Sequence, residues 1–117
     1  MNDESLTKDL YNQIIKENGS YYREVFLNKS ETDAKDQYWK ELKRMFADLS
    51  DENRETLFKL VKHIQVDTIA EMLGVLDGIV SVGNNGFLEF NVTLDGNDEP
   101  INGCLQDFFL SYVEENE

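Results

Sequence analysis

Apolar side chains recur every three or four positions over the first two thirds of this chain, and then alternate with polar ones before a last helical stretch. Leu6, Leu10, Ile14 and Ile15 predict a first helix over about residues 4–18, closed by a left-handed cap at Asn18-Gly19. The next run, SYYREVFLNKS, holds Tyr21, Tyr22, Val25, Phe26 and Leu27. It is too short for periodicity to separate helix from strand, and helix is the preferred reading. After the polar SETDAKD, the residues Tyr38, Trp39, Leu42, Met45, Phe46 and Leu49 form one apolar stripe and predict a helix over about 32–49.

Ser50, followed by Asp51 and Glu52, carries the signature of a helix start, with a side-chain cap and acids where the helix dipole favours them. From there Leu57, Leu60, Val61, Ile64, Thr68 and Met72 keep helical spacing. Beyond Ile64 the helix is apolar on nearly every side, which predicts a buried central helix over about 51–77. Within it, IQVDTIAEMLGVLDG places Asp67, Glu71, Gly74 and Gly78 on one narrow line. Two acids that share a stripe with two glycines read as an edge where a second backbone approaches or where the carboxylates reach water.

Residues 79–82 and 87–94 are rich in alternating, β-branched and aromatic positions and are separated by GNNG, which predicts a hairpin of two strands. Asp95-Gly96 offers a further turn, and residues 99–101 a short third strand that would complete a meander. Asn102-Gly103 is expected to cap a last helix with Leu105, Phe108, Phe109 and Tyr112 on its apolar face. The expected fold is therefore α+β: four to five helices with a small antiparallel β hairpin or meander near the C-terminus, in a single globular domain spanning 1–117.

Composition supports a folded chain, because 40% hydrophobic and 11% aromatic residues place it clear of disordered sequences despite a formal charge of −13. The distribution of charge changes the picture more than its total. Residues 1–60 hold 13 acidic and 10 basic side chains, a net of −3, whereas residues 61–117 hold 11 acidic side chains and one basic, Lys62, a net of −10. Such a field repels nucleic acid and anionic lipid, and it either attracts a basic partner or serves only to keep a small protein dissolved. The opening MNDESLTKDLYNQ lacks a basic start followed by an apolar stretch, and no run is long enough to span a bilayer, so the expected setting is cytoplasmic, without membrane contact. The lone Cys104 fits a reducing compartment and is expected to be a small buried thiol.

Candidate chemistry is sparse. Asp67 and Glu71 have the residue types for acid–base work or hard-metal binding, but lack the Glu-x-x-His pattern of helical metal sites. Asp95, Asn97 and Glu99 start like a calcium loop, and Pro100 and Gln106 then stand where such a loop needs Gly and Glu. His63 has no nameable partner, and neither GVLDG nor GNNG is a phosphate-binding motif. No cofactor and no metal is expected. The aromatic group Tyr21, Tyr22, Tyr38 and Trp39 is expected to be core before interface.

The segment VDTIAEMLGVLDG, followed by the expected hairpin and by INGCLQDFFLSYVEE, resembles an uncharacterised family of small acidic bacterial proteins over about the last 55 residues. That resemblance carries no catalytic residues. In size and acidity, though not in motif, the chain is also similar to bacterial immunity proteins and antitoxins, which cover the active surfaces of basic toxins, and to small mobile-cassette proteins. The expected function is a non-enzymatic acidic module that binds a basic protein partner, with Glu89, Asp95, Asp98, Glu99 and Asp107 as the contact surface because turns and helix starts are exposed. The alternative is a small-ligand or metal-binding protein, or an enzyme, that uses Asp67 and Glu71. A homodimer that completes the burial of the apolar helix is a further expectation.

Overall fold

The structure, a computed structural model, describes residues 1–28 and 36–117. Its elements are α1 (Asp3–Leu10), a π-helical stretch (Tyr11–Glu17), α2 (Asn18–Asn28), α3 (Gln37–Ala47), α4 (Asp51–Leu76) and α5 (Leu105–Glu115), with one 3-10 turn at Gly83–Asn85. Among the described residues there is no strand, so the fold is mainly α and the expected α+β class, with its hairpin or meander, is wrong.

Local capping explains where most helices begin. Asn2 accepts from the Ser5 N–H at 2.8 Å while the Ser5 hydroxyl accepts from the Asn2 N–H at 2.9 Å, a reciprocal box at the start of α1. Asp36 caps α3 through the Tyr38 N–H, and Ser50 caps α4 through the Asn53 N–H at 3.1 Å, as its position in the sequence predicts. The end expected at Asn18-Gly19 does not occur. Gly19 keeps a negative φ, and α1, the π stretch and α2 run on without a break. Wider π turns return a residue to the same face after four to five positions, and here Tyr11 and Ile15 are both buried.

The main core lies where α1, the π stretch, the C-terminal half of α4 and α5 meet. Tyr11, Ile15, Val66, Ala70, Leu73, Leu105, Phe109 and Val113 form one cluster, with Tyr11 and Tyr112 edge to face at 5.3 Å. A second, smaller cluster is aromatic and joins α2, α3 and the N-terminal half of α4: Phe26 lies 5.2 Å from Phe46, and Phe46 lies 5.3 Å from Phe58. Arg54 braces it by donating to the carbonyls of Phe46 and Ala47 at 3.1 and 3.0 Å, which closes the C-terminal end of α3. Arg23 and Glu55 join α2 to α4 by a two-pronged pair at 2.6 and 2.8 Å. The hydrogen bond from Arg23 holds the Glu55 carboxyl below its ordinary range and raises the guanidinium, so the pair contributes above the unfolded carboxyl's titration range and fades as pH falls through the folded one.

Three expectations about exposure need correction. The helix expected to be buried all round leaves Ile64 and Met72 open to solvent, because the main core reaches only one side of α4. Tyr21 and Tyr38 are exposed and Trp39 is half-buried, so the aromatic group is not a closed core, and Tyr22, Tyr38 and Trp39 instead line a groove of about 380 Å³. Cys104 is exposed. The helix expected over about 32–49 is described from Gln37, and its first residues fall outside the described ones.

The two helical glycines differ in what surrounds them. Around Gly19 there is open space for a Cβ, whereas a Cβ at Gly74 would stand 2.5 Å from Val80 Cγ2 and 2.7 Å from Gln106 Nε2. Gly19→Ala is therefore expected to stabilise the chain by about 0.5–1 kcal/mol in chemical denaturation, through helix propensity alone. Gly74→Ala is expected to cost about 1–2 kcal/mol in the same measurement, since overpacking outweighs that gain.

Candidate functional site

The polar face of the molecule is built on the junction between α4 and α5. Here α4 stops at Asp77, and Gly78 takes the left-handed conformation with φ of 78°, which turns the chain back so that the Ile79 and Val80 N–H groups reach the Gly74 carbonyl at 3.0 and 3.2 Å. The carboxylate of Asp77 then serves the start of α5. Its Oδ1 accepts from the N–H of Gly103 at 2.6 Å and of Leu105 at 3.1 Å, and its Oδ2 accepts from the N–H of Gln106 at 2.8 Å. Cys104, at the N-cap position of α5, makes no side-chain cap bond. A charged acceptor from another helix thus does the capping expected of Asn102-Gly103.

Asn102 has a different task. Its amide donates to the Leu76 and Phe90 carbonyls, each at 2.8 Å, and its Oδ1 accepts from the Val92 N–H at 2.9 Å. One side chain therefore takes up the Phe90 carbonyl and the Val92 N–H, groups that a neighbouring strand would have paired, and apart from the bonds that close the two turns a single backbone bond, Ile101 N–H to Val92 carbonyl at 2.8 Å, crosses the segment. This is why the alternating residues form no ladder. The alternation itself is real: Val80, Val82, Leu88, Val92 and Leu94 are half-buried, while Ile79, Ser81, Phe87, Glu89 and Thr93 are exposed. Both turn signals hold as well. Residues 83–85 form a turn closed by the Val82 N–H on the Gly86 carbonyl at 2.8 Å, and Gly96 has a φ of 85° beside the Asn97 N–H to Leu94 carbonyl bond.

On this frame Glu89, Asp95, Asp98, Glu99 and Asp107 are all exposed. Glu89 lies between Phe87 and Phe90 along a cleft of about 710 Å³ whose floor includes Leu76, Asp77 and Asn102. Asp98 and Glu99 line a separate cleft of about 440 Å³ with Asp3 from the start of α1. Asp95 stands in the turn at Gly96, and Asp107 lies in the first turn of α5. The five acids are thus spread over two clefts, a turn and a helix start. Among the described residues none of the five makes an ion pair. The one cation of the C-terminal half, Lys62, lies 3.8 Å from Glu117.

Sequence reasoning missed Asp3, Phe87 and Phe90. Asp3 joins the acids only through folding, because it is more than ninety residues away along the chain. Phe87 and Phe90 belong to the expected strand, and with 67% and 41% of their surface exposed they have no second layer over them among the described residues. Asp67 and Glu71 are both exposed on α4, and Asp67 stands 3.1 Å from His63 Nε2. They do not line the clefts described above, and among the described residues no three His, Cys, Asp or Glu side chains are grouped to hold a metal ion. No helix of the described residues is long and apolar enough to cross a membrane. The glycines of their stripe serve close approach and turning, Gly74 toward Val80 and Gly78 toward the Leu88 carbonyl.

Since three N–H groups end on the Asp77 carboxylate, Asp77→Ala is expected to lower stability by about 2–3 kcal/mol in urea denaturation, and Asp77→Asn, which keeps one acceptor oxygen, by about half as much.

No protein-family model, curated protein or solved structure matches the chain.

Proposed function

We propose that this chain is a non-enzymatic acidic module that binds a basic protein partner through the loop segment between α4 and α5 and the first turn of α5, in the manner of an immunity protein or antitoxin. The observation that carries the reading is the set of exposed acids that make no ion pair among the described residues, Glu89, Asp95, Asp98, Glu99 and Asp107, together with the exposed rings of Phe87 and Phe90. Unpaired like charges on a folded surface repel one another, and a cationic partner removes that repulsion while the rings lose their contact with water. Asp3 extends the same negative surface from the other end of the chain. The cytoplasm is the proposed setting, where such a module would meet its partner as that partner is made.

Charge steers the encounter, so the binding depends on ionic strength: the Debye length falls from about 10 Å at 0.1 M salt to about 3 Å at 1 M. The immobilised chain is expected to capture a basic protein from a lysate of its own cell at low salt and to release it at high salt. The partner is identified by mass spectrometry. The triple variant Glu89→Gln, Asp98→Asn, Glu99→Gln is expected to lose about tenfold in affinity for it with its helical circular dichroism unchanged. Capture that ignores both salt and these substitutions, or that selects acidic proteins, sinks the proposal.

A further inference from the structure

The apolar line that α4 leaves open is regular. Leu60, Ile64 and Met72 are 53%, 53% and 64% exposed, and with Thr68 they sit four residues apart along one side of a helix of 26 residues. Val61, 41% exposed, widens the line. Among the described residues none packs over it. A lone exposed leucine is ordinary on a protein surface, but an aligned row more than three turns long is the pattern of a helix that docks another helix.

The exposed surface is large enough for a stable interface. The chain has an accessible surface of 8257 Å² at 13.6 kDa, where a compact folded monomer of that mass exposes about 6600 Å². Its radius of gyration is 17.9 Å, against about 13 Å for a compact domain of 117 residues. The surplus of roughly 1700 Å² exceeds the ~800 Å² that each partner buries in a standard stable interface.

We propose that a second copy of this chain covers the line, with the two α4 helices packed antiparallel about a two-fold axis near the level of Val66. The spacing suits that symmetry, since Leu60 then meets the partner's Met72 and Ile64 meets the partner's Thr68. Charge selects the orientation. Asp67 and Glu71 border the line, and beyond Lys62 the helix carries no cation, so a parallel pair would set each acid against its own copy. In the antiparallel pair the two Glu71 residues stand about 15 Å apart along the axis, ten residues at 1.5 Å each and beyond a Debye length at physiological salt, so that only the two Asp67 residues stay close, about 3 Å apart along the axis, each with its own His63 Nε2 at 3.1 Å. Each Glu71 instead comes level with the partner's Val61, a short distance from Lys59, Lys62 and His63 of the partner.

Because each protomer carries −13, the dimer tightens as salt screens the repulsion between copies, the opposite sign to the capture of a basic partner. Sedimentation equilibrium of the full chain tests this. The expected result is a monomer–dimer equilibrium whose dissociation constant falls on going from low to high salt. Ile64→Glu, which changes an exposed residue and therefore leaves the fold and its circular dichroism intact, is expected to weaken the dimer at least about a hundredfold, since the charge enters the interface twice. Orientation is read from spin labels on Thr56→Cys in a Cys104→Ser background: about 30 Å between labels in the antiparallel pair, from twenty residues at 1.5 Å, and about 10 Å in a parallel one. A chain that stays monomeric at all concentrations and salts, an Ile64→Glu dimer as tight as the parent, or a short label distance would overturn the proposal.

Discussion

One carboxylate, that of Asp77, receives three backbone N–H groups from the start of α5. Those donors have no partner within their own helix, and at a half-buried junction an unsatisfied N–H costs about as much as a lost hydrogen bond. By meeting all three at the end of α4, Asp77 fixes the position and direction of α5. That direction carries Leu105, Phe109 and Val113 into the core against Tyr11, Val66 and Leu73, and Gln106 across to the Ala70 carbonyl at 3.0 Å. The main core therefore depends on a polar contact at its rim.

The same junction explains why the loop segment is acidic on the outside yet ordered without strands. Gly78 reverses the chain, Val80 packs beside Gly74, and Asn102 takes up the backbone groups of Leu76, Phe90 and Val92. With the Phe90 carbonyl and the Val92 N–H held by one side chain, the segment presents Phe87, Glu89 and Phe90 outward. A strand pairing would have consumed those backbone groups and turned alternate side chains onto a second layer that the described residues do not supply. The surface proposed for partner binding and the anchor that holds it thus belong to one local solution.

The division of the core into two clusters has its own consequence. The main cluster takes one side of the C-terminal half of α4, and the aromatic cluster takes one side of its N-terminal half. A helix about 39 Å long cannot be wrapped by so few neighbours, so one side remains apolar and open. The elongated shape, the surplus surface and the uncovered row are one fact seen three ways.

What the sequence alone determined was local. Ser50 before two acids set the start of α4, GNNG and Asp95-Gly96 set two turns, the apolar spacing of residues 105–113 set α5, and the count of charges set the sign of the surface, because each of these signals acts within three or four residues or needs no geometry at all. Tertiary structure decided the rest. Alternation in residues 79–94 is the same for a strand and for an extended segment laid against helix ends, and only the amide of Asn102, ten to twenty-six residues away from its partners, tells them apart. Asp77 reads as one more acid until the chain closes a loop of 26 residues and sets it under Gly103. The open side of α4 was equally hidden, since an apolar helix face records that something must cover it and not whether this chain provides the cover.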